Sequence, residues 1–398
     1  MTDVFDDLVG QDAAVQLLRA AAADAPAARY GRPTTGAMTH AWLVTGPPGS
    51  GRSTAALDFA AALVCHQGGD GTCEDCIAVA HSVHVDVEHI VPEGMIYSVD
   101  ETRELVTHSF IAPARSLWHV FVIEDADRLN DASANALLKA LEEPPPGTVW
   151  ILCAPSTEDV LPTVRSRCRH LMLATPSMAE VAHALHTRFE VPQDMAEFAA
   201  RAAQGHIGRA RALATDEQAR ARRSAVLAIP SSLGSLAQCL TLAADLVATV
   251  TADAAAFCDP RDEAERGALL AAYGQGAEGK GLGTAERRAK GMIKALEDRQ
   301  KKRRRRVVRD QLDRAITDLI ALYRDVLVLQ LDAAAALVND ELRPALAQLA
   351  TAGSPELTLR RVDALERTRG LLEANVPPLL SLESLMVALK DPTLTAIH

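Results

Sequence analysis

The sequence is poor in aromatic side chains. Phe, Tyr and Trp make up only 4% of 398 residues, while hydrophobic residues make up 48%. A core built without aromatics rests on Ala, Leu and Val, and alanine runs such as Ala20–Ala28 point to a largely helical protein. Cysteine is scarce as well. Seven residues, odd in number and unevenly spread, exclude a disulfide framework and fit a reducing compartment. No charged-then-apolar signal segment stands at the N-terminus and no apolar run reads as long enough to cross a bilayer, so a cytoplasmic protein without a membrane is expected. Positive charge is short too: the net charge is −11. That excludes a protein that simply coats DNA, and confines any nucleic-acid contact to a local patch or to more basic partners.

What is present divides into three parts, and the length alone calls for two or three domains. Residues 1–175 alternate strand-like and helical patterns, the sign of an α/β sheet domain. Ala41–Thr45, His119–Ile123 and Val149–Ala154 are short apolar runs that read as buried parallel strands. Residues 176–215 have the size of a small helical lid. Residues 216–398 read as a larger helical domain, in which 274–306 forms a flexible basic insertion: glycine-rich Gly274–Gly283, then charged sequence ending in Lys301-Lys302-Arg303-Arg304-Arg305-Arg306. A solvated helix face or flexible segment is the plainer reading of that run, and a patch for nucleic acid or an acidic partner the sharper one. After it, Ile316, Leu319, Ile320, Tyr323, Leu327 and Leu331 fall at helical spacing and mark a buried face.

The strongest chemical signal is Gly46-Pro-Pro-Gly49-Ser-Gly51-Arg52-Ser53, between the strand Ala41–Thr45 and a helical run over Ser53–Leu63. Glycines let backbone N–H groups converge on phosphate, and the following helix offers its positive end. Arg52 stands where lysine reaches the terminal phosphates. Arginine keeps the charge but is a longer, planar fork, so both a working site and a retained turn with little nucleotide binding are open. The second signal is the strand end Glu124-Asp125, which suits a Mg²⁺ and water site. Its acids are in the reverse of the usual order, which puts the shorter Asp125 where a glutamate is expected and weakens catalysis that depends on distance. A plain acidic strand end facing solvent is the other reading.

Together with Val9-Gly10-Gln11, Asn135-Ala-Leu-Leu-Lys-Ala-Leu-Glu-Glu-Pro-Pro-Pro146 and Ser166-Arg167-Cys168, these motifs occur in the order seen in bacterial clamp-loader AAA+ subunits, over residues 5–170. Weaker similarity runs through Gly205–Arg211 and Tyr323–Leu327. Within the family the altered loop resembles the delta-prime branch rather than the motor, which keeps lysine. The resemblance implies a RecA-like AAA+ domain, a helical lid and an all-α collar. It implies a hetero-oligomer with motor (gamma/tau) and delta subunits that places a sliding clamp on primer-template DNA. It gives Arg167 the role of a finger reaching a neighbour's ATP site, against the reading of an ordinary surface arginine between Arg165 and Arg169. It puts Gly208 where a nucleotide-sensing arginine belongs, with Arg209 one position, about 100°, out of place. ATP and Mg²⁺ are then not expected to be turned over by this chain.

The resemblance also implies a structural zinc module within residues 65–84. Cys65, Cys73 and Cys76 match three of its four cysteines, and Asp70 stands at the fourth. Asp70, His66 or His81 would complete the set, since zinc accepts carboxylate and imidazole, and three reduced thiols without metal are the alternative. Cys153, Cys239 and Cys258 read as small buried hydrophobes. Two rival functions remain from the sequence: an active ATPase motor with a tolerant phosphate loop, and a nucleic-acid-binding regulator using residues 301–306.

Overall fold

The structure, a computed structural model, describes residues 3–92, 94, 96–272 and 282–394. It forms two compact units, Met1–Asp216 and Glu217–His398. In the first, the order is α1 (Asp12–Arg29), β1 (Ala41–Thr45), α2 (Arg52–Val64), α3 (Glu74–Ala80), β2 (Val87–Ile90), α4 (Val99–Ser109), β3 (His119–Ile123), α5 (Asp131–Glu142), β4 (Thr148–Ala154), α6 (Pro162–Arg165) and β5 (Arg169–Met172). All strands are parallel, in spatial order β2-β3-β4-β1-β5. This is the RecA-like α/β arrangement expected from the sequence.

β1, β3 and β4 are buried along their whole length, which is why they read as unbroken apolar runs rather than alternating ones. Alternation survives in which side each residue serves. Trp42, Val44, Val120, Val122, Ile151 and Cys153 pack with α1 and α2. Leu43, Phe121, Ile123, Trp150 and Leu152 pack with α5. Four of the few aromatics fill this sheet's two faces: Trp42 meets Phe59 edge-on at 5.0 Å and Phe121 stacks on Trp150 at 4.5 Å. Three short helices, α7 (Met178–Phe189), α8 (Gln193–Ala203) and α9 (Ile207–Thr215), complete this unit.

The second unit is all helical: α10 (Glu217–Leu227), α11 (Ile229–Ser232), α12 (Leu236–Ala272), α13 (Leu282–Gln330), α14 (Arg343–Thr351), α15 (Pro355–Glu373) and α16 (Pro378–Lys390). Ile316, Leu319 and Tyr323 are core residues as expected, with Leu312, Leu322 and Val326 beside them. Ile320 and Leu327 are only partly buried, and Leu331 is 62% exposed because the helix ends at Gln330. The bundle also holds a buried polar knot. Asp325, fully buried, accepts the backbone N–H groups of Val338 and Asn339 and the Asn339 amide, while Arg223 reaches Asp318 and Glu341.

Two expectations meet the structure here. Residues 274–281 of the expected flexible insertion lie outside the described residues, whereas Lys301–Arg306 lies inside α13. The expectation of no apolar run long enough for a bilayer is corrected. Leu236–Gly267 of α12 is long and apolar enough by length and composition. Alanine, at home in a soluble helix as well as an apolar one, supplies nine of those 32 residues. Cys239, Ala243, Val250, Ala254 and Cys258 form one buried stripe on it, packed with neighbouring helices α13 and α16, and the helix carries Asp245 and Asp253.

One core carboxylate opposes folding at neutral pH. Asp58 Oδ2 on α2 is buried without a hydrogen-bond partner, and burial, with Asp7 and Asp3 nearby, pushes its pKa up to about 8. The folded chain therefore keeps a proton that the unfolded chain gives up near its ordinary value of 3.8. Stability falls as pH rises between those values, by at most about 1.4 kcal/mol per pH unit. Asp58→Asn is expected to be more stable than the parent at pH 8 in urea unfolding, with the gap closing toward pH 4; a pH-independent gap would contradict this.

Candidate functional site

The phosphate loop leaves the carboxyl end of β1 and enters α2, where no side chain caps the first turn and backbone N–H groups stay available. Sterics fix two of its glycines. A Cβ on Gly46 would lie 2.5 Å from Ser50 Oγ and 2.7 Å from the Leu173 carbonyl oxygen. Gly49 has φ +87°, and a Cβ there would lie 2.5 Å from the His206 ring. Gly51, at φ +91°, is the N-cap of α2. Buried Gln11 explains the Val9-Gly10-Gln11 motif. Its amide donates to the Ala174 carbonyl at 2.7 Å and accepts from the Ala174 N–H at 3.1 Å, and it also donates to the Ser50 carbonyl at 3.4 Å. It thus ties the loop to the segment leading into α7.

The loop is occupied by its own chain. Arg52 bends back, and its Nη1 donates to the Gly46 carbonyl at 2.5 Å. His206, the N-cap of α9, accepts the Arg209 N–H and rests against Gly49. Ser53 is exposed. Gly208 is exposed, and a Cβ there would lie 3.6 Å from the His206 ring.

Because β4 lies between β1 and β3, the acidic strand end sits on the other side of β4 from the loop, at the same carboxyl edge of the sheet. Such an edge is where open α/β sheets take ligands. Here too the groups are engaged. Buried Glu124 faces His89 Nε2 at 3.3 Å, and His89 Nδ1 meets the Ser82 hydroxyl at 3.2 Å. Asp125 takes a left-handed backbone, φ 47°, and lies 3.5 Å from Arg128. Burial and the Asp125 charge raise the pKa of Asp127 beside them. His89 lies in no motif, and His206, although inside the Gly205–Arg211 stretch, was not legible as a site residue because its contact with Gly49 joins segments far apart in sequence.

Arg167 is elsewhere. Arg169 pairs in register with Trp42 at the amino end of β1, and Arg167 precedes it by two residues. Arg167 lines an open cavity of about 500 Å³ with His40, Leu141, Glu142 and Ser166. From His40 to Gly46 is six residues of extended chain, about 20 Å. Arg167 is therefore on the opposite edge of the sheet from its own phosphate loop. Its guanidinium is a third exposed, donating from Nε to Glu142 at 2.7 Å and from Nη1 to the Thr163 carbonyl at 2.7 Å. An exposed pair of this kind holds by about 0–1 kcal/mol, so a stronger anion can take the guanidinium from it.

The cysteine cluster is the third place. The thiols of Cys65, Cys73 and Cys76 and a carboxylate oxygen of Asp70 all lie within 4.8 Å of one another. Cys65 Sγ is 3.6 Å from Cys73 Sγ and 3.8 Å from Asp70 Oδ1. Sulfurs about 2.3 Å from a tetrahedral zinc stand about 3.8 Å apart, so this donor set fits the ion. Asp70 is aimed by the N–H groups of Cys73 and Thr72, and the Cys73 N–H first among them lowers its pKa to about 2, leaving a carboxylate ready to ligate. His66 is 81% exposed and turned toward Asp75 at 3.7 Å, and neither it nor His81 joins the cluster. The other four free cysteines are apart from it: Cys153, Cys239 and Cys258 are buried in strand and helices, and Cys168 is partly buried.

Residues 32–177 match the family profile described as DNA polymerase III, delta subunit. Three curated relatives illustrate the likeness. One is DNA polymerase III subunit gamma/tau of Mycobacterium tuberculosis, 37% identical over 140 residues, 34% of this chain and 24% of that protein. The second is subunit delta' of Escherichia coli K12, 32% identical over 206 residues, 49% of this chain and 60% of that protein. The third is subunit delta' of Pseudomonas aeruginosa, 36% identical over 148 residues, 35% of this chain and 44% of that protein. A solved gamma subunit-related protein of Thermotoga maritima aligns over 88% of this chain and 93% of its own, at 15% identity and TM-score 0.41. The chain spans less than two thirds of each of these curated relatives. Over its matched N-terminal residues the chain is similar to delta' and gamma/tau subunits of DNA polymerase III, in line with the motifs.

Zinc analysis tests the cysteine cluster. Chelator-washed protein is expected to retain about one equivalent of zinc, Cys76→Ser to lose it, and Asp70→Ala to bind at least tenfold more weakly while Asp70→Cys restores retention. Equal retention by all four proteins, or none by the parent, would contradict the assignment.

Proposed function

We propose that this chain is a delta-prime-type subunit of a bacterial clamp loader, weak or inactive in ATP hydrolysis itself, which presents Arg167 to the ATP site of a neighbouring motor subunit. One observation carries this reading. Arg167 is partly exposed on the edge of the sheet opposite the chain's own phosphate loop, so any phosphoryl group it serves belongs to another molecule. The chain's own site supports the other half of the reading. Arg52 is spent on a loop carbonyl, His206 lies on Gly49, and His89 faces Glu124. A nucleotide would have to displace all three.

In the neighbour's site the guanidinium would give up Glu142 and meet the charge that develops on the transferring phosphoryl group. Fixed cations at that point stabilise the transition state more than bound ATP, because the charge spreads over the equatorial oxygens only during transfer. Zinc, where bound, would clip the loop after α2 to α3 and would take no part in the chemistry. The partners under this reading are motor (gamma/tau) and delta subunits, with the sliding clamp and primer-template DNA reached through the assembly in the cytoplasm.

The test is reconstitution of a loader with motor and delta subunits. With Arg167→Ala, shown to assemble normally, hydrolysis at the facing site is expected to fall by on the order of 10³-fold. Clamp loading should fall with it, and the isolated parent chain should show no turnover. Unchanged hydrolysis in the reconstituted loader, or turnover by the isolated chain that Arg52→Ala abolishes, would overturn the reading.

A further inference from the structure

The function proposed above makes no use of the basic run. The structure divides that run into two sets. α12 and α13 run antiparallel beyond their common core, whose last member on α12 is Val250 and whose first buried member on α13 is Leu312. Along this extension Arg303 and Arg304 turn inward. Arg303 binds Asp262 at 2.5 Å and Glu265 at 2.6 Å, and Arg304 binds Asp259 at 2.5 Å and Asp262 at 3.1 Å. Gln300 adds a bond to the Asp262 carbonyl at 2.9 Å. These two arginines tie the helix pair together and are neutralised by it.

Lys294, Lys301, Lys302 and Arg305 are on the other side of α13. All four are exposed, and their spacing of i, i+7, i+8 and i+11 puts them on one face of the helix. The stripe is about 17 Å long. Among the described residues the one acid seen to pair with it is Asp298, 3.9 Å from Lys301 and itself exposed. Over residues 282–306 as a whole, Lys and Arg outnumber Asp and Glu by eleven to three, in a chain where acids outnumber them by 52 to 41. The charge is local, and one internal ion cluster, in which Arg303 and Arg304 share Asp262, holds the helix pair beneath it.

We infer that this stripe is a docking face for the phosphate backbone of duplex DNA. Two features select that partner. No apolar side chain lies among the four cations, so the face lacks the buried anchor that a protein interface is built around, while phosphate contacts need none. No aromatic residue occurs between residues 282 and 322, so the stacking platform that single strands favour is missing as well. A straight, rigid comb of cations suits the regular phosphate row of a duplex, and contacts of this kind carry no sequence preference. The inference stands apart from the role of Arg167, and either can fail without the other.

The test is duplex binding by the full chain, read by fluorescence anisotropy with a mixed-sequence 30-base-pair DNA at several salt concentrations. The parent is expected to bind with log Kd rising by about 3–4 per decade of salt, as four phosphate contacts require. The variant Lys294→Gln, Lys301→Gln, Lys302→Gln, Arg305→Gln should bind at least tenfold more weakly with a flattened salt slope. The charge-conserving variant Lys294→Arg, Lys301→Arg, Lys302→Arg, Arg305→Lys should bind as the parent does, which separates lost charge from lost fold. No binding by the parent at low salt, or equal binding by the glutamine variant, would overturn the inference. So would preference for a single strand of the same length, or polyglutamate competing as well as duplex at equal charge, since the latter marks a face for acidic protein.

Discussion

The rest of the first unit depends on the parallel register of β5, β1, β4 and β3. Parallel strands send every chain reversal to a fixed edge, and a buried sheet cannot slip by one residue without turning its apolar faces the wrong way. That register puts the phosphate loop and Glu124 on the carboxyl edge, either side of β4, and puts Arg167 at the amino edge, two residues before β5 begins. The separation between the loop Gly46–Ser53 and Arg167 follows from strand direction alone. No movement of a side chain bridges it.

The carboxyl edge retains the frame of a nucleotide site while its polar groups have found partners within the chain. Gly46 and Gly49 keep the close approach that the loop needs, and Gln11 still braces Ser50. The side chains that would meet phosphate and metal are the ones that have changed. Arg52 folds onto Gly46, His206 covers Gly49 and His89 answers Glu124. A nucleotide competing for this site must replace a charge-assisted hydrogen bond to a carbonyl and an imidazole–carboxylate contact, each worth on the order of 1–3 kcal/mol.

How far the sequence could be read follows from the range of each interaction. The strands were legible because full burial writes itself as unbroken apolar runs in Ala41–Thr45 and His119–Ile123. The loop was legible because its glycines are required locally. Asp70 was named among three candidates for the cysteine cluster, but spacing alone could not choose between it, His66 and His81. The choice is made by two backbone N–H groups that aim Asp70 at the thiols. His206 and His89 were missed because their contacts join segments far apart in sequence. The apolar length of α12 is hard to read because its alanines, threonines and aspartates break any run of large apolar residues, and the helical period at Leu331 outlasts the helix by one residue.

The central claim, that phosphoryl chemistry is met at the amino edge by Arg167 and not at the chain's own loop, is tested most directly by photolabelling with an ATP analogue carrying a reactive group on its γ-phosphate. In the reconstituted assembly, label should map to the peptide Pro162–Met172 of this chain, and the isolated chain should take up none at Gly46–Ser53. Labelling of Gly46–Ser53 in the isolated chain, with Pro162–Met172 unlabelled in the assembly, would contradict the account.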